Sequence, residues 1–162
     1  MPAVGAKQPV LLLLGSLPGE ASLAAQRYYA HPQNQFWRLL GAALGEPLPG
    51  LAYEERLARL AARHVALWDV IGEARRSGSL DAALREVSVN ALADYVAGQP
   101  QLRAIGFNGQ TASRLGRRAL GATRLALVDL PSSSPAYTVA VADKEARWSV
   151  LAKFVQHATL TP

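Results

Sequence analysis

The chain has 162 residues, half of them apolar and 18% charged, which suits a single globular domain over 1–162 with a sizeable buried core. The absence of cysteine excludes disulfides, thiolate zinc sites, iron–sulfur ligation and thiol nucleophiles, and His31, His64 and His157 form no close ligand pattern, so neither a metal nor another cofactor is expected. Seventeen Lys and Arg against twelve Asp and Glu give a net charge of +5 and a pI near 10.0, which favours a polyanionic partner without requiring one.

Val10 to Gly15 is an unbroken aliphatic run, VLLLLG, stopped by GSLPG, and reads as a strand buried on both faces. It is too short to cross a bilayer and lacks the flanks of a signal peptide, so a soluble, cytoplasmic protein with no membrane partner is expected. Helical spacing follows over 20–28, 35–45 and 53–62, with the Gly/Pro loop GEPLPG between the last two. A second apolar run, HVALWDVI (64–71), is followed by a helical stretch at 90–97, and a third, LRAIGFNG (102–109), by one at 110–119. The fourth run is RLALVDLP (124–131), and a helix is predicted over 143–157.

Strands alternating with helices imply an α/β fold, a parallel four-stranded sheet between helical layers. No repeat or heptad suggests an assembly, and a monomer is expected. The least core-like residues stand at the strand ends: Ser16 and Pro18, Asp69, Asn108, and Ser132 to Ser134. In an open parallel sheet those ends converge on one edge, so one cleft is implied.

Three segments could carry chemistry there. GSLPG (Gly15 to Gly19) is a turn whose glycines let backbone approach a ligand, but it lacks phosphate-loop spacing, and by itself an ordinary strand-to-helix turn explains it better. In YYAHPQNQFW (28–37), aromatic faces can stack on bases and amides can hold a base edge or a water; Phe36 and Trp37 suit core anchors, and His31 before Pro32 suits a loop cap. In LPSSSPAYT (130–138), Ser132, Ser133 and Ser134 can grip phosphates, and a rigid loop at Pro135 can push Ala136 or Tyr137 into a base stack; a plain serine-rich turn would look the same. No serine sits in a nucleophile elbow, which leaves serine-hydrolase chemistry unsupported.

Taken in order, GSLPG, YYAHPQNQFW, LWDV, FNGQTA and LPSSSPAY resemble the uracil-DNA glycosylase superfamily, and most of all its hypoxanthine-DNA glycosylase branch, over roughly 10–40, 64–84, 104–116 and 128–138. The resemblance implies a three-layer α/β/α sandwich and a monofunctional enzyme that everts a deaminated base, hypoxanthine first, from DNA and hydrolyses its glycosidic bond. Leu17 stands where the mismatch-specific branch carries a catalytic Asn, and the resemblance transfers that role to Asn34. It also implies that Tyr29 stacks on the base and that Ser16, Leu17, Pro18, Gly19, Asp69 and Asn108 line its pocket. His31, Ser132 to Ser134, Pro135, Ala136 and Tyr137 are then expected to contact DNA. No lysine falls in the matched motifs, so no Schiff-base nucleophile is expected.

Hypoxanthine carries a carbonyl where adenine carries an amino group, so a donor aimed at that oxygen would reject adenine; backbone N–H groups of Ser16 to Gly19 and the Asn108 amide are candidates. Uracil or xanthine as substrate, a non-catalytic nucleic-acid binding module, and an unrelated small-molecule enzyme remain open alternatives. Arginines at 56–63, 75–76 and 114–118 fit solvated helix surfaces unless the fold brings them to the cleft.

Overall fold

The computed structural model describes residues 1–17, 19–71 and 91–159. The expected pocket role of Pro18, the arginines at 75–76 and the family likeness beyond residue 71 in its second stretch fall outside the described residues.

Five strands form one sheet: β1 (Val4–Gly5), β2 (Leu11–Gly15), β3 (Val65–Asp69), β4 (Ala104–Asn108) and β5 (Ala126–Leu130). Their order is β1-β3-β2-β4-β5, and every pairing is parallel except that of β1 with β3. The four long strands are those the apolar runs predict. The fifth adds a short antiparallel edge to the expected four parallel strands: β1 is two residues long, too short to show any periodicity, and is held by the register Val4 to Leu67 and Gly5 to Ala66.

The helices are α1 (Glu20–Ala25), α2 (Phe36–Leu44), α3 (Tyr53–Ala62), α4 (residues 91–97), α5 (Gln110–Leu120), α6 (Val141–Trp148) and α7 (Ala152–Thr159). Two depart from the sequence pattern. α1 stops at Ala25 because Gln26 turns left-handed (φ 55°) and returns its N–H to Leu23, which frees Tyr28 to enter the core. The helix predicted over 143–157 is broken by a 3₁₀ turn at Ser149–Leu151, where the Ser149 hydroxyl donates to the Ala146 carbonyl at 2.6 Å.

β2 lies at the centre of the sheet and all five of its residues are buried. Its side chains alternate between the two layers. Leu11 and Leu13 pack with Phe36, Trp37, Leu40, Leu60 and Trp148 on one side, while Leu12 and Leu14 pack with Leu92, Ala112 and Leu115 on the other. At about 1.5–3 kcal/mol for each fully buried leucine, these layers fix the strand ends within a rigid frame. The chain moves from β2 to β3 on one side and then crosses to β4 on the other, so the direction of winding reverses between β2 and β4. A crevice opens at the carboxyl ends of such neighbours.

Candidate active site

A pocket of about 510 Å³ occupies that crevice. Ser16, Leu17, Gly19, Tyr29, His31 and Asn34 line it, as do Asp69, Asn108 and Ser132 to Ser134. Five sequence-distant segments therefore meet where the strand-end pattern predicts one cleft. Pro135 and Ala136 do not line it; both are exposed on the following loop, and Tyr137, 43% exposed, lines a neighbouring groove.

Asn34 is positioned by a turn. His31-Pro32-Gln33-Asn34 is closed by the Asn34 N–H donating to the His31 carbonyl at 3.0 Å, and proline suits the second position of such a turn. The His31 ring nitrogen Nδ1 accepts the Gln33 N–H at 3.1 Å, so this side chain caps its own loop while it borders the pocket. The Asn34 Oδ1 accepts two hydrogen bonds, from the Phe36 N–H at 2.9 Å and from the Ser133 hydroxyl at 2.8 Å. A backbone N–H can only donate, so this bond assigns the amide orientation. Both oxygen lone pairs are used, and the Nδ2 end is the one left to offer hydrogens to the pocket.

Ser133 is the centre of the arrangement. Only 1% exposed, its hydroxyl donates to Asn34 and accepts from Asn108 Nδ2 at 2.9 Å, while its N–H donates to Asn108 Oδ1 at 2.9 Å. Asn108 Nδ2 also donates to the Tyr29 hydroxyl at 3.3 Å. The Asn108 amide is thus engaged at both ends, and its place is that of a brace between Ser133 and Tyr29. Ser132 and Ser134 use their hydroxyls to accept the N–H groups of Ser134 and Ala136, at 3.1 and 3.2 Å, capping the turn they form.

Tyr29 adopts a left-handed backbone (φ 53°) and stacks on Phe36 with ring centroids 3.7 Å apart and planes 6° from parallel. Phe36 covers one face of the ring. Burial pushes the Tyr29 hydroxyl well above the usual tyrosine range, Asp69 adds to this by charge, and the Asn108 hydrogen bond opposes it.

Asp69 ends β3 inside the pocket at 6% exposure, and burial pushes its carboxyl up to about 7, with the chain's amino group pulling weakly the other way. Among the described residues no donor hydrogen-bonds this carboxylate. Gly15 explains how it fits: a Cβ there would lie 2.5 Å from Asp69 Oδ1 and 2.7 Å from the Tyr29 hydroxyl, so glycine is what lets the two groups close over the end of β2.

A second groove, of about 590 Å³, adjoins the pocket and shares Ser16, Asn108 and Ser132 with it. Thr111 and Arg114 on α5, Arg147 on α6 and Tyr137 border it. The fold therefore brings Arg114 to the cleft. Arg117 instead pairs with Asp129 at 3.1 Å and lies over the Phe107 ring, and Arg59 and Arg63 pair with Glu46 at 2.6 and 2.9 Å.

Several residues of the site are not singled out by the sequence pattern. Ser22, 6% exposed, lines the pocket and accepts the Ala30 N–H at 3.1 Å; a lone serine in a short helix gives no signal. Arg147 and the buried Lys144 sit in a polar helical stretch that reads as solvent-facing. Among the described residues no group of three or more His, Asp or Glu could hold a metal ion, and no helix is long and apolar enough to cross a membrane.

The model of the uracil DNA glycosylase superfamily matches residues 2–157. The chain is 37% identical over 150 residues to a hypoxanthine DNA glycosylase of Methanosarcina acetivorans, covering 93% of this chain and 94% of that protein. It is 39% identical over 100 residues to a hypoxanthine DNA glycosylase of Methanosarcina barkeri, covering 62% and 63% of the two chains. A candidate uracil DNA glycosylase of Methanosarcina acetivorans, solved by solution NMR, superposes with a TM-score of 0.72 at 34% identity over 96% of each chain. With its strand-end pocket, its parallel core and these matches over nearly the whole length, the chain belongs to the uracil DNA glycosylase superfamily.

Proposed function

We propose that this protein is a monofunctional DNA glycosylase of base-excision repair that removes hypoxanthine from DNA, acting as a cytoplasmic monomer without a cofactor. The observation that carries the reading is the Asn34 amide, fastened through its oxygen at the mouth of a base-sized pocket with its nitrogen left to bind. Both relatives named as hypoxanthine DNA glycosylases support the choice of base.

Cleavage of the N-glycosidic bond leaves positive charge on the sugar and negative charge on the departing base, so the site must align a water with C1′ and support the base as it leaves. Asn34 cannot take a proton at neutral pH. One Nδ2–H donates to the oxygen of the attacking water, leaving the second lone pair to form the bond to C1′ while the bond from C1′ to N9 breaks. The water's surplus proton passes to solvent or to the departing base. Activation comes from the cationic sugar, and positioning is the protein's share.

Tyr29, backed by Phe36 on one face, stacks its other face on the everted base. Asp69, as carboxylate, accepts the N1–H of hypoxanthine. Adenine presents a lone pair at that position, so it meets a buried negative charge instead of satisfying it. Uracil and xanthine carry an N–H that this carboxylate can accept, and so do guanine and thymine, so Asp69 rejects adenine and cytosine only, and the Asn34 amide and pocket size must do the rest.

Duplexes carrying inosine, uracil or xanthine, incubated with the protein and then treated with alkali, test the reading. Cleavage at inosine above the other two is expected, and Asn34→Ala is expected to lower the single-turnover rate by about 100-fold or more. Salt-sensitive binding with no abasic product from any duplex would make the protein a binding module, and full activity in Asn34→Ala would remove Asn34 from the chemistry.

A further inference from the structure

Lys144 is completely buried, yet it has no carboxylate partner among the described residues. Its ammonium donates to Gln35 Oε1 at 2.8 Å and to the Ser134 carbonyl at 3.2 Å, and lies 5.4 Å from the centroid of the Tyr137 ring. Burial holds its pKa below the usual lysine value. A desolvated cation of this kind is costly unless its hydrogen-bonding capacity is met, and here two oxygens and an aromatic face meet it.

What those acceptors belong to is the telling feature. Gln35 directly follows Asn34, and Ser134 directly follows Ser133, the residue whose hydroxyl holds the Asn34 amide. The Gln35 N–H also donates to the Ser133 carbonyl at 3.0 Å. One turn further along α6, Trp148 donates its indole N–H to the Pro131 carbonyl at 2.9 Å. Residues four apart share a helix face. Lys144 and Trp148 therefore grip the two ends of the Pro131–Ser134 turn from one side of α6, and both reach across to the Asn34 segment, Trp148 by packing its ring edge-on against Phe36 and Lys144 by a hydrogen bond to Gln35.

We propose that Lys144 is a positioning residue for the excision reaction: its buried ammonium locks the Asn34 segment to the serine turn and so sets the aim of the Asn34 amide. This rests on Asn34 having the role given above. Neither loop has regular secondary structure, so their mutual register depends on such cross-links. Lys144 does not line the base pocket, and its effect on DNA affinity is accordingly small.

The test compares Lys144→Met, Lys144→Arg and Gln35→Ala with the parent protein. Two quantities are read: the single-turnover excision rate on an inosine duplex, and affinity for a duplex carrying a hydrolysis-resistant 2′-fluorinated deoxyinosine. Lys144→Met is expected to lose about 10-fold or more in rate while affinity stays within about twofold, because a misplaced group costs rate before binding. Gln35→Ala, which removes the acceptor and leaves the lysine, should lose rate in the same pattern, and Lys144→Arg should recover part of it. Parent-level rates in Lys144→Met, or a rate loss matched by an equal affinity loss, overturn the proposal. Should Lys144→Met fail to fold, Gln35→Ala at the parent rate overturns it equally. Asn34→Ala at the parent rate refutes the underlying reading, whereas an impaired Asn34→Ala beside fully active Lys144→Met and Gln35→Ala refutes the lysine's role alone.

Discussion

The pocket and the groove beside it share a wall of Ser16, Asn108 and Ser132, yet their chemistry is opposite. Among the described residues no Lys or Arg lines the pocket, and its acidic groups are Glu20 and Asp69, whose carboxyl is pushed up to about 7 by burial. The groove carries Arg114 and Arg147, and its one carboxylate among the described residues, Asp129, is held below the usual range by the Ser113 hydroxyl and neutralised by Arg117. An uncharged aromatic ring fits the first and a phosphodiester chain fits the second. Changes in the pocket should therefore alter rate and choice of base, and changes in the groove should alter affinity and its dependence on salt.

The sharpest way to break that division is Asp69→Asn. An amide at 69 can present its nitrogen to the adenine N1 lone pair, so the preference for hypoxanthine over adenine in the same mismatch should narrow by about 10–100-fold, measured as a ratio of single-turnover rates. An unchanged ratio would remove Asp69 from base reading. Tyr29→Leu is next: loss of a base stack worth about 1–3 kcal/mol should weaken binding of the 2′-fluorinated inosine duplex by about 5–100-fold. An undamaged duplex, with nothing everted, should feel the change less.

A third prediction concerns stability. The Asp69 pKa is raised from 3.8 to about 7, so its folded form holds a proton that the unfolded form has lost between those values. The resulting penalty is absent below about pH 4, grows as pH rises and is complete above about pH 7. Asp69→Asn should then be more stable than the parent by on the order of 4 kcal/mol at pH 8, with the gain vanishing near pH 4, as read by urea melts. The same titration should make excision by the parent fall as pH drops through about 7. The smallest effect belongs to the groove: Arg114→Ala should lower the slope of log affinity against log salt by about 1 and leave the single-turnover rate unchanged. A rate change there would merge the two regions.

The sheet was legible because β2 to β5 are written as apolar runs closed by polar residues, and the pocket was legible because parallel strands must end together. What stayed hidden depends on distances that no local pattern carries. Ser133 looks like its two neighbours in sequence, but it alone is buried between two amides. Lys144 occupies a stretch of charged residues, and only the packing of α6 under the serine turn shows that it points inward. The left-handed Tyr29 leaves no mark in composition, since it follows from the stack on Phe36 and the brace from Asn108.

The fastening of the Asn34 oxygen carries a chemical irony. Deamination of adenine exchanges a nitrogen that gives hydrogens for an oxygen that receives them, and spontaneous deamidation of an asparagine makes the same exchange in a protein. Because one side of the Asn34 amide is pinned by a main-chain N–H, the acid formed in that way could not rotate to hide its new oxygen. The lesion this fold is suited to find in DNA would, repeated at one of its own side chains, replace a donor to water's oxygen by an acceptor of water's hydrogen, and the nucleophile would have to turn.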